Sequence, residues 1–482
     1  MAKELFKVNI RGGILSTGDI QKLADACERI NCKVIHLGAR QNIYIKTSKK
    51  HAPTLSKILE ESNFDFEQNN ISYPNIISSY AAEDLFSTHA WMSEGMYKDI
   101  LNSFDYKPKL KINICDPTQG LVPIFTGVLN FIPSNYQNFY YVYINPSTES
   151  FFCWNKLLFA KDISTFSKSI ENHILAEGTK DLLTFLNDIE GKLSLITKNV
   201  DEPLQLPRVR FPYYEGFNKS SDKFWLGIYR RKNDFPISLL RSISNVCNAT
   251  NLGQINITPW KTFLLKGIEE KDRISWEKLL SRHGINSRHS SLELNWQLPD
   301  MEKQSQKIKD ALVKKFDDKD IRTFGLTFAI KTKSFDTSSS IVIEKKGIFN
   351  FTGVLKHLTS YDIYYHANFS PQTGALKKFA SNVGWNYLDD HLNELCKIYY
   401  KQLDSYTEVS LVESQQEQHI KTDTAIHHCK HCFTSYDPRY GDAVSDIPKG
   451  VPFEALDDTY TCTVCDAPKS DFILLDPLAL TA

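Results

Sequence analysis

The sequence predicts an α+β protein built from duplicated halves, with a small metal-holding domain at its C-terminal end. Three observations carry this. A strand–helix–strand–strand–helix pattern in the first sixty or so residues recurs 220 positions later. Each copy is followed by a longer stretch in which apolar runs of strand and helix period are mixed. Two C-x-x-C pairs, Cys429/Cys432 and Cys462/Cys465, stand near the end with 29 residues between them.

In the first copy, Phe6–Ile10 reads as a strand broken at Gly12-Gly13, and Ser16 or Thr17 is placed to cap the helix that follows. Ile20, Leu23, Ala24 and Cys27 fall on one helical face. Val34–Leu37 and Asn42–Ile45 alternate as strands, and a second helix is expected over 51–62. In the second copy Phe224–Ile228 is the strand, and Leu240, Ile243 and Cys247 match Ile20, Leu23 and Cys27. Ile255–Lys261 takes the place of Ile35–Gln41, and a helix over 273–283 closes the unit. A single repeat at so long a period means duplicated halves, not a solenoid.

Composition excludes several classes. Lys plus Arg and Asp plus Glu are equal at 57 each, and 41% of residues are hydrophobic. Nothing in that balance calls for nucleic acid or a membrane, and no apolar run reaches spanning length. The N-terminus lacks the apolar core of a signal peptide. With four cysteines committed to a metal and the other six scattered, a reducing cytoplasm is expected. The charge is uneven: residues 427–482 hold four basic against nine acidic side chains, a formal −5, and the remainder 53 against 48, a formal +5. Such a carrier suits docking on the basic body or on a basic partner.

Four thiolates from two C-x-x-C loops make one tetrahedral site, for iron or zinc by spacing alone. The intervening residues choose. Tyr436-Asp437-Pro438, Gly441-Asp442, Ile447-Pro448-Lys449-Gly450, Phe453–Leu456, then Lys469 and Phe472 together resemble rubredoxin over about residues 427–473. The resemblance implies one iron at Cys429, Cys432, Cys462 and Cys465 that carries single electrons. A structural zinc ribbon is the alternative. Tyr436, Phe453, Tyr460 and Phe472 would form the domain's small core. Phe433 and Asp466 stand where that family usually has glycine, in a loop that favours positive φ, and Tyr460 stands for the usual Trp. Asp accepts positive φ better than Phe does. His427, His428 and His431 read as surface residues beside a complete thiolate set.

The duplicated unit, through "RGGILSTGDIQKLADAC" and "VIHLGARQNIYIK" and then "ITPW" and "GI", resembles the ferredoxin-like half-domain of sulfite and nitrite reductases. Asn113–Pro117 and Phe125–Ile132 resemble the segment that follows in that family. The resemblance implies two half-domains related by a pseudo-twofold axis, each with an α/β domain after it. Expected boundaries are half-domains at 1–67 and 216–287, α/β domains at 68–215 and 288–403, a polar flexible linker at 404–426, and the rubredoxin-like domain at 427–482.

Family enzymes hold a 4Fe–4S cluster bridged to sirohaem, using two cysteine pairs expected here near Leu294–Trp296 and Ala329–Ser338. The stretch 248–395 contains no cysteine, so no 4Fe–4S cluster is expected. Asn9 replaces the arginine that precedes the family's Pro-Gly-Gly, and Arg11 stands at the proline. Arg40-Gln41 keeps an Arg-Gln pair whose arginine contacts tetrapyrrole carboxylates, which makes Arg40 the candidate residue for such a contact. Arg208, Arg210, Arg230, Arg231, Arg282 and Arg288 read as solvated, and His36 as packed. The function that follows is electron transfer, with the body docking a redox partner such as nitrite or sulfite reductase, and no catalytic residue is assigned. Two alternatives stand beside it: a sirohaem enzyme in which the rubredoxin iron replaces the cluster, and a zinc-stabilised interaction module.

Overall fold

The structure is a computed structural model of the full chain. It describes all residues except 1–2, 71, 87–91, 148–149, 180–181, 208, 221, 288–289, 347–358, 373–374, 421–425, 433, 437, 439–441, 443–444, 446, 449 and 475–482. The chain divides into two compact units, Met1–Lys397 and Ile398–Ala482.

Within the first unit the duplication is visible in the backbone. One antiparallel sheet runs in the order Phe235–Pro236, Val34–Leu37, Asn42–Ser48, Lys3–Asn9, Asp65–Gln68, and its counterpart Ile14–Ser16, Gln254–Ile257, Phe263–Ile268, Lys223–Ile228, Gly216–Ser220. Each half lends one short strand to the other's sheet. Phe235 pairs with Ile35, and Leu15 pairs with Ile255. That reciprocal exchange is the pseudo-twofold relation. Backbone turns repeat with it: Gly12 and Lys232 share φ 62° and ψ 8°, and Gln41 and Lys261 have φ 57° and 61°.

Both sheets send their apolar faces into one core, which holds Ile20, Leu23, Ala24 and Cys27 from helix Thr17–Arg29 and Leu240, Ile243 and Cys247 from helix Ile237–Ala249. Ser16 caps the first helix, accepting from Asp19 N at 3.0 Å. The second begins after Pro236 and has no side-chain cap; proline fixes an extended φ there in place of the cap.

The two α/β segments repeat each other as well. In the first, Ile77–Ser78, Ile112–Ile114 and Leu129–Pro133 are parallel, followed by antiparallel Phe139–Ser147, Ser150–Phe159 and Thr197–Asn199. In the second, Trp296–Gln297, Phe328–Lys331 and Ile341–Lys346 are parallel, followed by antiparallel Ser360–His366 and Leu376–Gly384.

Gln41 joins the parts. Its buried amide donates to Ser78 O at 3.0 Å and Ile257 O at 2.9 Å, and accepts from Ser78 N at 2.9 Å. It thereby ties the first half-domain to the first α/β segment and to the second half-domain. Gly13, at φ 71°, lies so close that a Cβ would sit 2.5 Å from Ile257 O, which explains the glycine.

One expectation is corrected. A flexible linker is expected over 404–426, but helix Trp385–Ile420 runs through 404–420, and 421–425 lie outside the described residues. The segment lacks Gly and Pro, and six of its seventeen residues are Glu or Gln, which lose little side-chain freedom in a helix. Among the described residues, no helix is long and apolar enough to cross a membrane.

Candidate metal centre

The small C-terminal sheet orders Ser435–Tyr436, His427–Cys429 and Phe472–Leu474, with Cys429 opposite Phe472. Its core is aromatic: Tyr436, Phe453 and Phe472 are buried with Leu456, and Tyr460 packs against them. Ring centroids lie 5.2 Å apart for Phe453–Phe472 and 5.7 Å for both Tyr436–Phe453 and Tyr460–Phe472. Tyr436 Oη donates to Val451 O at 2.8 Å and Tyr460 Oη to Asp442 Oδ2 at 2.9 Å, so each phenol enters the core with its polar end satisfied.

Two knuckles related by 33 positions present the thiols. Cys429 N donates to Thr434 O at 2.9 Å, and Cys462 N to Ala467 O at 2.8 Å. These closures bring all four sulfurs within 4.8 Å of one another. Cys429 Sγ lies 3.6 Å from Cys465 Sγ, and Cys432 Sγ 3.4 Å from Cys462 Sγ. With metal–sulfur bonds of about 2.3 Å a tetrahedron has edges of about 3.8 Å, so the four thiols fit one tetrahedral ion. Asp466 takes φ 57°, the conformation expected where a glycine is usual. Phe433 lies outside the described residues.

Cys429 and Cys462 are fully buried, Cys432 is partly buried and Cys465 exposed. The second knuckle residue after each outer cysteine aims its backbone N–H at that sulfur, Thr434 at Cys432 and Ala467 at Cys465. Thr434 adds what Ala467 lacks: its hydroxyl lies 3.1 Å from Cys432 Sγ. That hydroxyl, with the N–H behind it, holds the Cys432 thiol down at about 6. At Cys465 the Ala467 N–H also draws the thiol down, but hydrogen bonding from Cys432, Cys429 and Cys462 pushes it up to about 12. A bound metal replaces the protons these sulfurs share.

One histidine differs from expectation. His431 is exposed and meets Asp471 Oδ2 at 3.0 Å, but the His427 ring stacks on Phe453 at 4.2 Å with only 12% of its side chain exposed. Strand alternation puts His427 on the aromatic face; crowding by histidines in the sequence concealed this. Ile473 and Leu474 are exposed, and 475–482 lie outside the described residues.

In the body, Arg40 turns its guanidinium inward. Nε and Nη2 donate to Asn75 O at 3.0 and 2.8 Å, and Nη2 also reaches Ile112 O at 2.9 Å and Asn113 Oδ1 at 3.2 Å. Burial pushes its pKa down to about 10. Arg40 lines a cavity of about 650 Å³ with Lys7, Lys109, Lys111, Lys333 and Asp336. Lys7 is paired with Glu67, and Lys111 with Asp336. The places expected for cysteine pairs are joined by an amide instead: Gln297 Oε1 accepts from Thr337 Oγ1 at 2.5 Å, Ser338 N at 2.9 Å and Ser339 Oγ at 3.0 Å. His36 is packed as expected, its Nδ1 3.0 Å from Asn233 O. Arg231 pairs with Glu293, while Arg208 and Arg288 lie outside the described residues.

Comparison with known proteins agrees with this geometry. The Rubredoxin family model matches residues 426–472, and the model described as "Nitrite/Sulfite reductase ferredoxin-like half domain" matches residues 4–62. The "Probable rubredoxin HupI" of Bradyrhizobium diazoefficiens is 46% identical over 55 residues, covering 11% of this chain and 80% of that protein. The "Probable rubredoxin HupJ" of Rhodobacter capsulatus is 47% identical over 53 residues, 11% of this chain but about a fifth (19%) of that protein's length. A solved structure, "Structure of Mycobacterium tuberculosis NirA protein", superposes with a TM-score of 0.60 at 14% identity, covering 81% of this chain and 80% of that one. That likeness concerns the fold.

Proposed function

The chain belongs to the rubredoxin family through its C-terminal domain, and from that premise we propose that it is a one-electron carrier whose body receives a redox partner. The observation that carries the reading is the four-sulfur set with donors already aimed at its two outer sulfurs. Iron bound there would supply a ferric/ferrous couple. The rest is done by the chain. The aromatic core excludes water from Cys429 and Cys462, and the knuckle N–H groups stabilise negative charge on sulfur without moving. Cys465, exposed beside exposed Val464, is where the sulfur set meets the outside and where a partner's acceptor comes within reach.

For the body we propose docking in place of catalysis. The cavity beside Arg40 suits a tetrapyrrole poorly. Among the described residues no cysteine or histidine lines it, Asp300 and Asp336 lie in its wall, and Arg40 donates to three protein oxygens. A macrocycle with many carboxylates needs free guanidinium forks, and two of the lysines there are neutralised. Among the described residues no second set of thiols comes together that could hold a 4Fe–4S cluster. The partner's class follows from the relatives: a redox protein, for which a nitrite or sulfite reductase is the candidate by family analogy alone.

Metal and pigment analysis of the purified chain tests this. About one iron per chain and no Soret band are expected, since one four-thiolate set holds one iron. A Soret band, or close to five irons per chain, would overturn the docking role and make the body a cofactor-bearing enzyme.

A further inference from the structure

A second cavity, of about 370 Å³, lies where both half-domains meet helix Lys303–Asp318 and plays no part in the carrier. Trp260, Trp296, Leu298 and Pro299 form its apolar wall. At its inner end is Lys309, whose residue is only 5% exposed. Among the described residues its ammonium makes one hydrogen bond, to Tyr229 Oη at 2.9 Å. An ammonium carries three N–H donors, and among the described residues no carboxylate pairs with this one. Glu293, the nearest candidate, is reached only through Tyr229, at 3.2 Å, and is held by Arg231 Nε at 2.8 Å.

A buried amine so poorly solvated has two escapes: it loses its proton, or it bonds to something that enters the cavity. Burial pushes Lys309 down to about 8, against the raising influence of Glu293 and Asp310, with Lys261 and Arg231 adding to the fall. An amine of this kind is a nucleophile near neutral pH. Its surroundings also select a charge. Lys46, Lys232, Lys303 and Lys307 line the same cavity, Lys232, Lys303 and Lys307 are exposed, and none of the four makes an ion pair among the described residues. The six lysines of the lining outnumber its four acids, Asp234, Glu293, Glu302 and Asp310, and each acid already faces a partner. Glu302 caps the helix at Gln304 N and Ser305 N, Asp310 accepts from Gln306, and Asp234 faces His36.

We propose that this cavity binds a small carbonyl compound bearing a phosphate or carboxylate, held as an imine on Lys309. The Lys309 nitrogen lone pair attacks the carbonyl carbon, and the carbonyl π electrons move to oxygen, which takes up a proton. Loss of that oxygen as water, with the second N–H proton, leaves the C=N bond. Aldehyde or ketone plus amine gives imine plus water, with no redox change. Tyr229 Oη, hydrogen-bonded to both Lys309 and Glu293, is placed to pass the proton and is a positioning residue. The outer lysines hold the anionic group.

The test uses the full chain with pyridoxal 5′-phosphate as probe, at one equivalent and pH 7.5, trapped with borohydride and mapped by peptide mass analysis. At that pH the neutral fraction of an amine with pKa about 8 exceeds that of an ordinary lysine by about two-hundredfold. Label should therefore concentrate on Lys309, with a rate that falls about tenfold per pH unit well below 8. Pyridoxal, which lacks the phosphate, should need about ten times the concentration. Tyr229→Phe should slow labelling of Lys309 and leave the exposed lysines unchanged. Label spread over exposed lysines with Lys309 unmodified would overturn the proposal. Equal labelling by pyridoxal would overturn the anionic requirement. Both readouts come from the unmutated chain, so neither depends on a variant folding.

Discussion

Thr434→Val removes one hydroxyl and nearly nothing else. In the wild type that hydroxyl lies 3.1 Å from Cys432 Sγ, and the related position of the other knuckle, Ala467, has no counterpart. Reduction adds one negative charge to the four-sulfur site, so any donor to sulfur stabilises the reduced form more than the oxidised one and raises the potential. A hydrogen bond to a charged acceptor is worth about 1.5–3 kcal/mol. If roughly a third of that is the difference between the two redox states, the hydroxyl contributes about 0.5–1 kcal/mol to reduction. For a one-electron couple 59 mV corresponds to a tenfold change in equilibrium constant, so the variant should fall by roughly 20–40 mV. Spectroelectrochemical titration of the full chain reads this directly, and the visible bands should persist because no ligand is changed. A potential that is unchanged or rises would refute the assignment of the hydroxyl as a donor to sulfur.

Cys432→Ser should abolish the visible colour and unfold the C-terminal domain, because metal binding contributes to the folding of so small a core. Far-UV circular dichroism should show the body intact, since it is a separate compact unit. Gln41→Leu deletes three buried hydrogen bonds between the half-domains and the first α/β segment. It should destabilise the body by about 3 kcal/mol in urea unfolding, each stranded partner costing about 1–3 kcal/mol with partial relaxation.

The metal centre was legible in the sequence nearly residue by residue, because ligand spacing and turn chemistry are local. Cys429 to Cys465 and the positive φ of Asp466 needed no knowledge of long-range packing. The duplication was legible for the same reason: Leu23 and Cys27 against Ile243 and Cys247 is a pattern of period and offset. The exchange of strands was not. Ile14–Ser16 pairs with Gln254–Ile257 and Phe235–Pro236 with Val34–Leu37, and segments of two or three residues carry no period to announce a partner. Arg40 shows the limit most plainly. Its place beside Gln41 was visible, but whether a guanidinium fork faces a ligand or its own backbone depends on where Asn75 and Ile112 fall, which sequence neighbours do not encode. Lys309 gave only a faint signal. A lysine among the lysines of an amphipathic helix looks solvated until the helix is packed, and Ser305, Ile308 and Leu312 on the same side are the clue that was available.

The central claim is that Cys429, Cys432, Cys462 and Cys465 hold a redox-active iron. Potentiometric titration of the full chain, purified after expression in iron-replete medium and followed by its visible charge-transfer bands, tests it most directly. The expected result is red protein that bleaches and recovers reversibly as a single one-electron transition, with a slope of about 59 mV per decade. Colourless protein carrying one zinc per chain, with no transition across the range, would contradict it.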